Sequence, residues 1–346
     1  LPAFTTMTVS IDGHQHRIER GSTAADVVKM ELPLAAAGDI VDMTGSVVAS
    51  QQGAPPLIER HGSVLAADDR IHHGDVLTSQ RGLDVVEHQI PTATPIPVAV
   101  EYRGDGPLER VASTGSEGVS LLGVGSISGL VTPMGVSQAS EPMVVERSYP
   151  VAGDKVVALT FDDGPWPGQT ERILKILANE GVPATFFVLG AKAKAYPALT
   201  ASIAEQGHQV ESHGYSHRSL ASRDKALAQR EARKSKSEIA VVTGQYPTWF
   251  RAPGGHLSEE ARTEVVAAGM RVVRWDVDPQ DWRKPPAWKL ARETLAQVRP
   301  GSVILLHDGG GDRTSTINAL TTIIRKLQAQ GYIFVTLDEM GSASRS

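Results

Sequence analysis

Five short clusters in the C-terminal half hold residue types that can move protons and bind a metal. They are Thr160-Phe161-Asp162-Asp163-Gly164-Pro165, Ser212-His213-Gly214-Tyr215-Ser216-His217, Arg251-Ala252-Pro253-Gly254-Gly255, Asp276-Val277-Asp278-Pro279-Gln280-Asp281-Trp282 and Leu305-Leu306-His307-Asp308. His213 and His217 stand four residues apart. With one carboxylate, two histidines make a metal face that leaves positions open for water and substrate. A histidine pair by itself suits plain loop hydrogen bonding equally well. The company of Asp162, Asp163 and His307 favours a metal. Both adjacent aspartates cannot reach one ion without strain, so they need different tasks. Arg251 could keep a neighbouring carboxylate ionised, or serve in an ordinary surface ion pair.

The elements that must position these clusters follow a strand–helix rhythm. Apolar runs at 156–161, 184–189, 209–212, 248–251, 271–277, 302–306 and 333–337 read as buried strands. Amphipathic segments at 169–180, 196–206, 222–243, 258–268, 286–298 and 316–330 lie between or after them. Gly181, Gly207, Gly244, Gly269, Gly301 and Gly331 follow, as left-handed helix caps require. Alternation of this kind implies a parallel sheet with right-handed crossovers. The expected fold is α/β, a distorted barrel of about seven parallel strands, slightly short of the usual eight. The five clusters fall where strands end, which is the face where barrel chemistry belongs.

On these five clusters, in this order, residues 149–342 resemble the polysaccharide deacetylases, the NodB-homology domain of carbohydrate esterase family four. The resemblance implies a divalent metal, zinc first, with cobalt or another ion as alternatives. It assigns the ligands to Asp163, His213 and His217. Asp162 is then the general base, ionised beside Arg251, and His307 the general acid. Asp281 becomes the partner that raises the His307 pKa, although it could instead cap a short helix starting at Trp282. The Gly254 N–H would stabilise an oxyanion. Leu305 and Trp282 would wall a slot for a methyl group, or simply be barrel core.

Two positions depart from the family pattern. Gly214 stands where Ser or Thr usually follows the first histidine, leaving Ser216 or Ser212 to brace the loop. Gly254 stands where an aromatic residue usually follows the proline, so sugar stacking falls to Trp166, Tyr215, Trp249 or Trp282. Each of these four could equally be packing. His208 and His256 read as structural or exposed.

The implied activity is removal of N-acetyl groups from GlcNAc-containing polysaccharide, in peptidoglycan or chitin oligomers, with release of acetate. O-acetyl ester hydrolysis on xylan is the alternative. A non-haem iron oxygenase or a non-enzymatic wall-binding protein would fit the same residues less well.

The front half has a different texture. Thr6 to Ile11 and His14 to Glu19 alternate around Asp12-Gly13, a hairpin signal. Ser22 or Thr23 can cap a short helix, and further short strands run from 46 to 81. Residues 1–83 are therefore expected to form small β-rich modules, the first ubiquitin-like. Residues 84–148 are glycine-frequent but carry Val119, Leu121, Leu122 and Val124, which favours a glycine-rich β module over a linker. This front part resembles the cell-wall modules of resuscitation-promoting factors, on stretches such as Arg81-Gly82-Leu83-Asp84 and His88-Gln89-Ile90-Pro91. The resemblance implies contact with cell-wall polymer.

Composition sets the outer limits. The chain has 346 residues, 41% of them hydrophobic and 21% charged, which is globular usage. A net charge of −5 argues against non-specific nucleic-acid binding. The absence of cysteine excludes disulfides, cysteine nucleophiles and zinc fingers. No apolar run is long enough for a membrane span. The start Leu1-Pro2-Ala3-Phe4 reads as a trimmed or cloned mature chain, from which any export signal would be missing, and the cell-wall resemblance joined to the deacetylase resemblance implies a secreted or cell-surface protein.

Overall fold

The computed structural model describes residues 5–149 and 155–342. The first four residues and Pro150, where the change of texture was placed, lie outside them. Two compact units are present, one of Leu1–Ile96 with Gly118–Ala139, the other of Pro97–Glu117 with Ser140–Ser346.

In the first unit, alternation in Thr6–Ile11 sends Met7, Val9 and Ile11 into a small core with Ile18, Val27, Ile58, Ile71 and Leu77. Asp12 and Gly13 turn the chain with φ values of 46° and 81°, the left-handed pair a primed hairpin turn requires. Thr23 and Asp26 form a reciprocal capping box at the start of the helix Ala24–Lys29. Thr6–Ile11 pairs in parallel with Val76–Gln80, and antiparallel partners flank that central pair on both sides. This is the ubiquitin-like arrangement expected. Gln89–Ile96, Gly118–Gly125 and Val131–Gln138 add an antiparallel sheet.

The glycine-rich stretch thus serves two sheets. Its other strands, Val100–Arg103, Leu108–Ser113 and Met143–Ser148, form a sheet of the second unit. There Leu108 bridges Val273 and joins a core with Ala158, Phe187, Trp249 and Val303. Glu109, also buried, accepts hydrogen bonds from Arg262 on the helix Glu259–Ala267 and from Arg147.

The rest of the second unit is the parallel barrel. Val156–Asp162 is flanked by Ser302–His307 on one side and by Thr185–Val188 and Ile333–Val335 on the other. Gln209–Ser212, Trp249–Phe250 and Arg271–Val272 continue from Thr185–Val188. The segment expected as one strand over 271–277 leaves Phe250 after Val273 and reaches Ser302–His307 at Val277, which joins the two ends of the sheet. Leu159, Phe161, Phe186, Ile304 and Leu306 are fully or almost fully buried, as strands covered on both faces must be.

One helix departs from expectation. The segment expected over 196–206 is preceded by a separate turn, Gly190–Ala195, and begins anew at Pro197. Proline has no N–H to continue the first helix, but it suits the first turn of the second. Gly190 has no room for a side chain, since a Cβ would lie 2.7 Å from the Ser235 Cα and 2.9 Å from the Tyr215 ring. Among the described residues no helix is long and apolar enough to cross a membrane.

Candidate active site

The end of the strand Val156–Asp162 carries both aspartates, and the backbone separates them. Asp162 closes the strand and is buried. Asp163 has φ of 76°, a left-handed conformation that few non-glycine residues adopt. Successive carboxylates therefore leave the chain in different directions. The reversal costs about 1–3 kcal/mol, a strain characteristic of functional sites.

Asp162 faces Arg251. The guanidinium is fully buried, donating to Asp162 Oδ1 at 2.9 Å, to Thr160 Oγ1 at 2.7 Å and to the Arg274 carbonyl at 3.1 Å. It also stacks on Phe187 at 4.1 Å. A surface ion pair is thereby excluded for Arg251. A buried charge is tolerated only when paired and hydrogen-bonded, and here each ion supplies the other's partner.

Asp163 faces the histidines. Its Oδ1 lies 3.4 Å from His213 Nε2 and 3.1 Å from His217 Nε2. The three ligand-type atoms lie within 4.8 Å of one another. His213 Nδ1 is 2.8 Å from the Arg251 carbonyl, which can only accept, so Nδ1 carries the proton and Nε2 offers its lone pair. Asp163 Oδ1 is buried without a well-aligned donor. An orphaned carboxylate oxygen beside a correctly presented imidazole nitrogen fits a divalent cation. Burial alone would raise the Asp163 pKa, but the His213 and His217 imidazoles beside its carboxylate, with His307, hold it far below the usual range. Hydrogen bonding to Asp163 raises His217 above its ordinary value, against its partial burial.

His307 ends the strand Ser302–His307. Its Nδ1 lies 2.6 Å from Asp281 Oδ1, and its backbone N–H donates to Asp281 Oδ2 at 2.9 Å. Thr316 donates to the same Oδ2 at 2.8 Å. Asp281 begins the short helical turn Asp281–Arg283 but makes no side-chain cap, so the capping alternative does not hold. Burial lowers the His307 pKa, and the hydrogen bond and charge of Asp281, with Asp162 and Asp163, more than offset it.

The remaining expected residues distribute unevenly. Gly254 is exposed at φ of 67° in the short turn Pro253–Gly255, and a Cβ there would meet nothing. Leu305 is buried in its strand, whereas Trp282 is 46% exposed. Trp166 and Tyr215 are half-buried, each with a lysine over one ring face, Lys192 and Lys234 respectively. Trp249 is withdrawn into the core, with Arg271 stacked on it at 3.8 Å, and cannot stack a sugar. His208 is buried, its pKa pushed down to about 4 by burial, and His256 is exposed.

Sequence reasoning missed several supports. Thr160, Thr316, Glu231 and Asp308 are buried polar residues. Asp308 follows His307 directly, accepts from Thr170 at 2.6 Å, and is pushed up to about 7 by burial. Its own motif position was a signal. Thr316 and Glu231 lie on helices distant in sequence and carried none.

Comparison with known proteins agrees with this geometry. A family model described as polysaccharide deacetylase matches residues 150–273. A chitooligosaccharide deacetylase of Sinorhizobium fredii is 37% identical over 206 residues, which cover 56% of this chain and 96% of that protein. The peptidoglycan deacetylase PdaC from Bacillus subtilis matches with a TM-score of 0.52 and 34% identity, over 56% of this chain and 93% of that one. A family 4 acetyl xylan esterase from Clostridium thermocellum, solved with a cobalt ion, matches with a TM-score of 0.51 and 31% identity, over 54% and 90%. Since these relatives are matched over nearly their whole length, and the family model spans Asp162, Asp163, His213, His217 and Arg251, the chain belongs to the polysaccharide deacetylase family.

Proposed function

We propose that this protein removes N-acetyl groups from GlcNAc-containing polysaccharide, in peptidoglycan or chitin oligomers. The observation that carries the reading is the convergence of a charge-held carboxylate, a two-histidine metal face and a carboxylate-backed histidine at one end of the barrel. Asp163, His213 and His217 would hold a divalent ion, zinc by preference, whose Lewis acidity supports attack of water on the acetamide carbonyl. Asp162, paired with Arg251, would accept the proton of the attacking water. The Gly254 N–H lies in the turn after Arg251, where it can face the developing oxyanion. His307, protonated and oriented by Asp281, donates to the departing nitrogen. The C–N bond breaks, the water oxygen joins the acyl carbon, and acetate and a free amine leave. Trp166, Tyr215, Trp282 and Leu305 would border the sugar.

The same machinery serves an ester, and similarity to an acetyl xylan esterase favours O-deacetylation as the second reading. Acetate release from chitin oligomers, peptidoglycan and acetylated xylan, each with and without chelator, tests both. Release from the N-acetylated polymers that chelation abolishes supports deacetylation. Release from xylan alone would replace it with the esterase. Asp162→Asn should keep its metal and lose about 10²–10⁴-fold in turnover. We place the protein outside the cell or at its surface, with the front modules holding wall polymer, since both polymers are extracytoplasmic.

A further inference from the structure

The loop between the two histidines is braced from beneath by one helix. Glu231 on Lys225–Thr243 is 4% exposed, and its carboxylate is spent entirely on this loop. Glu231 Oε2 accepts the N–H groups of Tyr215 and Ser216, both at 2.8 Å, and Oε1 accepts the Ser216 hydroxyl at 2.6 Å. One turn further along, Ser235 is within 2.8 Å of the Ser212 hydroxyl, which accepts the Gly214 N–H at 3.3 Å. Three successive loop amides are thus satisfied through one face of that helix.

The backbone explains why a carboxylate is needed. Gly214 and His217 have φ values of 76° and 59°, so the loop is left-handed at both ends. Such a turn directs neighbouring N–H groups to one side and makes a concave anion site. A Cβ on Gly214 would come within 3.2 Å of Glu231 Oε2, so glycine there lets the carboxylate close on the loop.

The two histidines are not equally secured. His213 follows a strand and is buried, with its ring tied to the Arg251 carbonyl. The His217 side chain is 48% exposed, its ring bonded to Asp163, within the charge influence of Asp162 and His307, and beside the His213 ring. The loop amides are therefore its positional support. We infer that Glu231 is a positioning residue that sets the His213–His217 separation and, through it, the affinity of the site for a divalent metal. This rests on the metal reading given above. Ser216 supplies the hydroxyl that Gly214 does not, and works through Glu231.

The test measures metal rather than turnover. Zn²⁺ affinity of the full chain is determined by chelator competition, and the Co²⁺-loaded protein is compared by visible absorption. Glu231→Ala should weaken Zn²⁺ binding about 10–100-fold, the usual cost of losing such a support, and alter the Co²⁺ spectrum. Glu231→Gln can still accept both amides with its oxygen and donate to Ser216. It should bind Zn²⁺ and absorb as the parent does. If Glu231→Ala does not fold, Glu231→Asp, one methylene too short to reach both amides, replaces it in the comparison. Parental affinity and spectrum in the folded Ala or Asp variant would overturn the assignment. So would a loss in Glu231→Gln as large as in Ala, which would point to charge instead of position. A parent chain that bound no Zn²⁺ would instead overturn the metal reading itself, a separate failure.

Discussion

Asp162 and His307 are register partners on adjacent parallel strands. The pairing runs without a bulge from Val157 opposite Ser302 to this last pair. In this register Leu159, Phe161, Ile304 and Leu306 share one face and pack into one core. The register in turn sets Asp162 and His307, the proposed base and acid, side by side. The chain after His307 returns to the same point, since the Asp308 N–H donates to the Asp162 carbonyl at 3.1 Å. The proposed proton acceptor and donor are therefore coupled through the barrel wall rather than through a loop.

Removing the Arg251 cation should unfold as well as inactivate. Arg251→Met would leave the Asp162 carboxylate buried without its counter-ion, at a cost of about 3–5 kcal/mol. Arg251→Lys should recover little, because one ammonium cannot reach Thr160, Asp162 and the Arg274 carbonyl together. Denaturant unfolding and kcat/KM on a chitin oligomer check both.

Asp281→Asn should move the alkaline limit of activity to lower pH. Asp281 helps hold the His307 pKa above its ordinary value, against burial. A general acid works only while protonated, so activity falls as pH rises through that pKa. Without the aspartate, burial dominates, and the fall comes earlier. The pH dependence of kcat/KM in the variant, set against the parent, reads the shift. An unmoved alkaline limb would remove His307 from the acid role.

Metal affinity should weaken toward acid pH. His217 must be neutral to bind an ion, and Asp163 raises its pKa in the metal-free protein. Protons therefore compete as pH falls through the raised value, and affinity recovers above it. Zn²⁺ dissociation constants measured across a pH series should show this. The metal-free protein has the opposite tendency, since the raised pKa contributes stability at low pH that is lost as pH rises.

Where the chain is cut should matter more than how much is removed. A chain beginning at Tyr149 loses Glu109 and Tyr102, the partners of Arg262, together with the sheet that carries them, and should be destabilised. It also loses Leu108 from the core beneath the barrel. A chain beginning at Pro97 keeps both. We expect the longer one to retain turnover on soluble oligosaccharides and to lose retention on insoluble peptidoglycan. Unfolding midpoints and sedimentation with purified peptidoglycan compare the two. Equal retention of the Pro97 chain and the full chain would argue against wall holding by residues 1–96.

The strand–helix alternation, the glycine caps at Gly181 and Gly244 and the Asp12-Gly13 hairpin are local signals, and all are visible in the sequence and present in the structure. The five clusters were equally legible, because strand ends of a parallel barrel converge whatever the loops do. Tertiary structure decided the rest. Adjacent letters could not show that Asp163 turns left-handed and so points away from Asp162. Trp249, Glu231 and Thr316 acquire their roles from partners on other elements, brought close by packing. The glycine-rich stretch divides between two sheets because its strands pair across gaps that no local pattern encodes. Spacing along the chain determines which chemistry is available, whereas burial and backbone handedness, which depend on distant neighbours, determine which atom performs it.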